Sequence, residues 1–344
     1  MKASFIGNFR DHDVEGLMKI SVGIKNYLTK KGFDINTNDV GRDLLNIHSG
    51  GIGYASKVAK LNKVKIYSLY TNLKFNVFER AYNLIYHLLF YSKKNKRKLI
   101  KILFFNTISG LIPLSYKRKL LSKMDLIIVP TQYLKDTLRL KNCTVIPFGI
   151  DTDKFKPGKK ETKKIVISFF GSLASQKGFP EVIKCFKILN KEGFFNIGEL
   201  RMYVSARSEL LNKKKLDKHG IKVFGKQDDI VKAYQDSDIV VLPYRNTLSS
   251  IGIPLVLLES MSCGKMVITT NLPHIKEVGK DSVLYVKPYS PKQIYEKVLF
   301  LLKNKRLISQ YGRKARANVV KNYREDKMLK AYEKIYTKYS VDKI

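Results

Sequence analysis

Acidic side chains are scarce in this 344-residue chain: 29 Asp and Glu stand against 65 Lys and Arg, a formal net charge of +36. That balance attracts polyanions: nucleic acid, anionic lipid or phosphorylated substrates. Net charge does not choose among them, and a general enrichment of lysine on solvated faces gives the same number. Cysteine is also rare. Cys143, Cys185 and Cys263 lie far apart, which excludes a disulfide framework and a cysteine metal site, and fits a reducing compartment. Long apolar runs are missing. Asn83–Tyr91 and Ile102–Leu114 are the longest, short of the roughly 20 residues a membrane-spanning helix needs. The first residues, Met1 to Gly7, turn polar too soon for a signal-peptide core. A cytoplasmic protein is expected.

What is present is an ordinary globular mixture. Hydrophobic residues make up 44% and charged residues 27%, enough for two buried cores in a chain of this length. Short apolar runs alternate with stretches of helical spacing. Ala3–Ile6, Leu44–Ile47, Lys65–Leu69 and Leu126–Val129 read as buried strands, and Met18–Thr29 as a helix with Ile20, Ile24 and Leu28 on one face. The second half repeats the pattern through Ile165–Phe170, Leu200–Val204, Lys222–Phe224, Ile239–Leu242 and Met266–Thr269, with helices at Glu181–Asn190, Ile230–Gln235 and Pro254–Ser262. The tail from Pro291 is nearly all helical. Strand–helix alternation predicts an α/β fold of two doubly wound, Rossmann-like domains with a cleft at the carboxyl ends of their strands. The expected division is 1–150, a polar linker at 151–164 containing Pro157 and Gly158, 165–322, and a C-terminal helix at 323–344 that crosses back to the first domain.

Two stretches carry chemistry. In the first, a strand ends at Phe170, Gly171 and Ser172 follow, and Lys177 and Gly178 precede a helix. Such a loop offers N–H groups and an ammonium to phosphate oxygens. It lacks P-loop spacing, and by itself it also reads as an ordinary turn with a solvated lysine. In the second, Gly252-Ile253-Pro254 opens a helix that carries Glu259 within an apolar run. The helix start favours an anion. A buried carboxylate is costly unless partnered; the vicinal hydroxyls of a ribose suit it, and so does a lysine of the protein.

Together these stretches resemble the donor-site motifs of the retaining family-4, or group 1, glycosyltransferases of GT-B fold. Val145–Phe155, Asp236–Tyr244 and the segment Glu15-Gly16-Leu17 with the helix after it match further signatures of that family in the same order. The resemblance implies a glycosyltransferase that uses a nucleoside diphosphate sugar as donor, retains anomeric configuration and needs no metal and no cofactor. It implies that Lys177 contacts the donor diphosphate and that Glu259 binds the ribose. Gly16, Gly171, Ser172, Gly252, Ile253 and Pro254 would line the phosphates and sugar, with Gly225 and Ile230 near the base. The sequence departs from the family pattern at three places: Ile251 stands where a Glu is frequent, Ser172 where an Arg is usual, and Tyr70 where a His is common. Arg207 or Arg245 could supply the missing cation, and His48 and Tyr70 could face the cleft.

Residues 75–123 set the run Lys93–Lys98 between aromatic, apolar stretches, with no acid between Glu79 and Asp125. That composition suits an anionic membrane surface and an acceptor that is lipid-linked or a cell-surface glycan precursor. The protein would then sit peripherally on the inner face of the cell membrane. A solvated basic loop on a packed helix reads equally from the same residues. No nucleic-acid module is present, so no nucleic-acid partner is expected. Two rivals stand beside the transferase: a non-catalytic binding or scaffold member of the same fold, and a nucleotide-sugar epimerase, which needs a pair of acid–base carboxylates that the sequence does not display.

Overall fold

The structure is a computed structural model that describes residues 2–7, 17–49, 52–71, 112–172, 175–204, 216–217, 219–247 and 252–341. Gly16, Arg207, Ile251 and most of the basic aromatic segment lie outside the described residues.

The first half is a six-stranded parallel sheet built from β1 (Lys2–Ile6), β2 (Asp34–Thr37), β3 (Leu44–Ser49), β4 (Val64–Leu69), β5 (Leu126–Val129) and β6 (Cys143–Val145). Their spatial order is β2-β1-β3-β4-β5-β6. Helix α1 (Leu17–Lys30) follows β1 and buries Ile20, Ile24 and Leu28, one residue per turn, as an amphipathic helix on a sheet must. It ends at Gly32, whose φ of +87° suits glycine. There the amide of Phe33 reaches back to the Leu28 carbonyl at 3.1 Å, which satisfies a helix-end acceptor. Helices α2 (Ala55–Val58), α3 (Leu114–Leu121) and α4 (Gln132–Leu138) complete the described part of this half. Thr131 caps α4 by accepting from the Leu134 amide at 3.2 Å, the role its short hydroxyl side chain favours.

The second half repeats the architecture. Strands β7 (Ile165–Gly171), β8 (Gly198–Val204), β9 (Ile221–Phe224), β10 (Ile239–Leu242), β11 (Met266–Thr270) and β12 (Leu284–Val286) form a second parallel sheet, ordered β12-β11-β10-β7-β8-β9. Between them run α5 (Phe179–Lys191), α6 (Ile230–Gln235), α7 (Leu255–Ser262) and α8 (Pro273–Gly279). Helices α9 (Pro291–Lys303), α10 (Lys305–Asn322) and α11 (Glu325–Val341) close the chain. Helix α5 starts two residues before the expected Glu181, because Pro180 fits a first helical turn and does not break it. Strands β6 and β12 and helix α8 had no counterpart in the sequence reading. Each is only three to seven residues long, too short for a periodic signal.

Helix α11 packs on the first half. Asn46 Nδ2 donates to the Tyr336 hydroxyl at 2.9 Å, and the Tyr332 hydroxyl lies 3.3 Å from Ser68 Oγ. The chain returns through a short bridge: Ile150 N–H donates to the Tyr323 carbonyl at 2.8 Å, and Glu325 N–H to the Ile150 carbonyl at 3.0 Å. Gly149 is required at this crossing, since a Cβ there would lie 2.5 Å from Glu325 Cα. One apolar cluster is shared by both halves. It includes Phe5 and Tyr70 of the first, Phe148 and Phe155 of the connection, Leu257 and Leu258 of the second, and Tyr332 of α11.

Candidate functional site

The carboxyl ends of β7 and β10 lie side by side, since β7 pairs with β10. The loop leaving β7 contains a 3-10 turn at Ser175–Lys177 and presses onto the segment leaving β10. Gly178 has a φ of +77°, and a Cβ there would lie 2.0 Å from the Pro243 carbonyl oxygen. Only glycine meets both demands. The Arg245 N–H donates to the Gln176 carbonyl at 3.0 Å and fastens the two segments. Lys177 Nζ is thereby held 5.4 Å from the centroid of the Tyr244 ring, a cation–π distance.

Glu259 is 7% exposed in α7 and accepts a hydrogen bond from the Tyr234 hydroxyl at 2.6 Å. Burial raises its carboxyl above the usual carboxylate range, against the opposing pull of the Tyr234 hydroxyl, Lys19 and Lys154. The same carboxylate adds to the effect of burial in pushing the Tyr244 phenol up. Tyr244 therefore feels both the ammonium of Lys177 and the carboxylate of Glu259. Phe170 stacks on Tyr234 at 4.1 Å and on Tyr203 at 4.6 Å, and Tyr203 stacks on Phe224 at 4.9 Å. This aromatic floor runs along neighbouring strand ends toward Gly225 and Ile230. Gly225 follows β9, its carbonyl accepting from Gln227 Nε2 at 3.0 Å. Ile230 is the first residue of α6, whose cap Asp229 accepts from the Lys232 amide at 3.0 Å. Gly171 and Ser172 are half-buried at the end of β7. A cation, a helix start and a carboxylate on one sheet edge can hold a diphosphate and a diol together.

Sequence similarity bears on what this edge serves. The family model for group 1 glycosyl transferases matches residues 149–325, more than half of the chain. The chain belongs to this family.

Among curated relatives of this chain is an uncharacterised glycosyltransferase of Methanocaldococcus jannaschii, 28% identical over 221 residues, covering 59% of this chain and 54% of that protein. Another is the N,N'-diacetylbacillosaminyl-diphospho-undecaprenol alpha-1,3-N-acetylgalactosaminyltransferase of Campylobacter jejuni, 27% identical over 214 residues, covering 57% of this chain and 54% of that one. The matched region spans about half the length of these curated relatives. Sucrose-phosphate synthase from Thermosynechococcus elongatus shares the fold, with a TM-score of 0.76 at 13% identity over 99% of this chain and 100% of that one. The two six-stranded parallel sheets with their helices are the GT-B fold.

Several expected site residues take other parts. Arg245 does not supply a loose phosphate cation. Its Nε and Nη2 bond both oxygens of Glu181 at 3.0 and 2.7 Å in a buried pair, and the guanidinium lies 5.1 Å from the Tyr289 ring centroid. His48 and Tyr70 do not line an open cleft. His48 Nδ1 and the Tyr70 hydroxyl share a hydrogen bond of 2.5 Å, and the imidazole stacks on Phe5 at 4.3 Å. Both side chains are buried, and burial lowers the His48 pKa to about 3. Gly252 does not offer its amide to a ligand in this state. Its N–H donates to the Tyr70 carbonyl at 2.6 Å, and a Cβ would lie 2.3 Å from Pro130 Cγ. Ile253 is buried, and Pro254 stands just before α7 with an extended ψ of 121°. No group of three or more His, Cys, Asp and Glu that could hold a metal ion occurs among the described residues, and no helix there is long and apolar enough to cross a membrane.

Two residues of α8 were missed by sequence reasoning. The Glu277 carboxylate accepts from the backbone amides of Gln132 and Tyr133 at 2.7 and 3.0 Å, so the second half caps helix α4 of the first. His274, three residues earlier, is fully buried beside Tyr133, with ring centroids 6.3 Å apart. Pro273 followed by a polar residue is a helix-start signal, but the contacts across to α4 have no local signature.

Proposed function

We propose that the chain transfers a sugar from a nucleoside diphosphate sugar to an acceptor hydroxyl, with retention of anomeric configuration. The observation that carries this reading is the pairing of Lys177 over Tyr244 with the buried Glu259–Tyr234 contact on the same strand edge. In this reading Glu259 accepts from the ribose hydroxyls. Lys177 and the start of α7 take the diphosphate and stabilise the negative charge that develops as it leaves. Gly171, Ser172 and Pro254 would border the phosphates and sugar, and Gly225 and Ile230 the base. No protein nucleophile is assigned, and neither metal nor cofactor is invoked. The first half would hold the acceptor. A lipid-linked acceptor is favoured by two facts: the Campylobacter relative is named for a diphospho-undecaprenol acceptor, and the chain carries a net charge of +36 with a basic aromatic segment at 75–123. These support a peripheral position at the inner face of the cell membrane.

The test is incubation of the protein with UDP-, GDP- and ADP-sugars, with and without a lipid-diphosphate acceptor in anionic vesicles. Release of nucleoside diphosphate that rises with acceptor is expected, and Lys177→Ala should abolish most of it. The commitment of Arg245 to Glu181 favours one rival, a binding subunit without turnover. Tight binding with no release under any acceptor would establish that rival and sink the transfer reading.

A further inference from the structure

His274 is 0% exposed, and neither of its ring nitrogens has a hydrogen-bond partner among the described residues. Thr270, four residues upstream at the carboxyl end of β11, is also fully buried with its Oγ1 unpartnered among them. Unsatisfied buried polar groups are rare and costly, and several at one strand end ask for a missing partner. The surroundings locate that partner. The Lys177 ammonium is close enough to add to burial in lowering the His274 pKa to about 4, so the imidazole is neutral near pH 7. The Tyr133 ring of α4 lies 6.3 Å from it, centroid to centroid, and Glu277 on the same helix as His274 caps the Gln132 and Tyr133 amides, so α4 of the other half packs over this helix. His274 and Glu277 stand three residues apart on α8, hence on one helix face. The imidazole thus lies at the seam between the halves, on the helix after β11, which is separated only by β10 from β7, the strand whose following loop carries Lys177.

We infer that His274, with Thr270, is a hydroxyl-recognition subsite for the hexose of the donor. A neutral imidazole offers one N–H donor and one bare acceptor nitrogen. A phosphate uses only the donor and leaves the other nitrogen unsatisfied. A sugar ring presents hydroxyls that both give and accept, and satisfies both nitrogens. The hexose is also the part of the donor next to the diphosphate. Because α4 covers the imidazole in this state, the sugar reaches it as α4 lifts from α8, and the Glu277 cap is the polar contact broken in that movement. This inference rests on the donor reading proposed above.

Calorimetric titration of the full chain with matched pairs of ligands separates the two. The pairs are UDP, GDP and ADP, each against its own hexose conjugate, and the ratio of affinities within a binding pair isolates the sugar. His274→Phe should cut that ratio about tenfold and leave the affinity for the nucleoside diphosphate within about twofold. His274→Gln keeps a donor and an acceptor and should retain most of the ratio. An equal loss for both members of the pair, or no change in either, overturns the assignment. Should His274→Phe not fold, NMR on the unmodified protein decides. With only five histidines, the His274 resonance can be assigned and should move with the nucleotide sugar more than with the nucleoside diphosphate. Equal movement, or none, refutes the inference. If Lys177→Ala weakens nucleoside diphosphate binding while His274 proves inert, the donor reading survives and this one falls. If no member of the panel binds, both fall.

Discussion

Replacing Glu259 by Gln should move ligand affinity and protein stability in opposite directions. The side chain keeps its length, and the amide oxygen can still accept from the Tyr234 hydroxyl, now 2.6 Å from Oε2. What changes is charge. A ribose diol bonded to a carboxylate makes two charge-assisted hydrogen bonds. Each is worth about 1 kcal/mol more than its neutral counterpart, so the substitution should cost about 2 kcal/mol, or ~30-fold in Kd. Stability follows from burial. The Glu259 carboxyl titrates above 4.5, with desolvation as the main cause. The folded protein therefore holds that proton more tightly than the unfolded chain does. The associated stability is complete below about 4.5 and is lost as pH rises through the raised value. At neutral pH the buried carboxylate is a cost, and Gln removes it. Thermal melts at pH 7.5 should give a Tm for Glu259→Gln at or above that of the unmodified protein, with the gap closing toward pH 4.5. Calorimetric titration with the nucleotide sugar that binds should show the ~30-fold loss. Unchanged affinity refutes the ribose assignment, and a clear fall in Tm at neutral pH refutes the burial argument.

Arg245→Met should destabilise the fold by about 3–5 kcal/mol, because it strands the buried Glu181 carboxylate; denaturant titration checks this, and a loss below about 1 kcal/mol would show the pair to be solvated. Gly178→Ala should cost about 2–4 kcal/mol, from a left-handed backbone and the overlap with the Pro243 carbonyl. Because the same loop holds Lys177, nucleotide affinity should fall with it, and a variant with unaltered stability and affinity would contradict the geometry. Stability should also decline in mild acid. His48 and His274 titrate near 3 and 4 in the fold against 6.5 unperturbed, so the unfolded chain binds their protons first and stability is lost as pH falls from about 6.5. His48→Phe should flatten the dependence of Tm on pH between 6.5 and about 3, and an unaltered slope would show the imidazole to be accessible.

Local patterns carried much of the architecture. The apolar runs at Leu126–Val129 and Ile239–Leu242 and the helical spacing at Ile230–Gln235 are elements with those same bounds. Buried parallel strands and amphipathic helices write themselves into short stretches of sequence. The partners of charged and polar groups do not. Glu181 and Arg245 are 64 positions apart, and Glu277 is 144 or more from the amides it caps. Sequence reading consequently offered Arg245 as a spare cation and His48 and Tyr70 as separate cleft residues, when tertiary packing had already joined each to another group. Gly252 shows how far a correct identity can be from its cause. The reading assigned it to a ligand that needs backbone at close range. In the fold it is Pro130 that leaves no room for a Cβ and the Tyr70 carbonyl that takes the amide proton. If the Gly252 amide serves the donor as well, the ligand must displace that carbonyl, and the two halves must part at the same seam where Glu277 caps α4. Donor binding and domain opening are then one equilibrium, and a substitution that weakens the Glu277 contact should raise donor on-rate more than it changes the chemistry at Lys177.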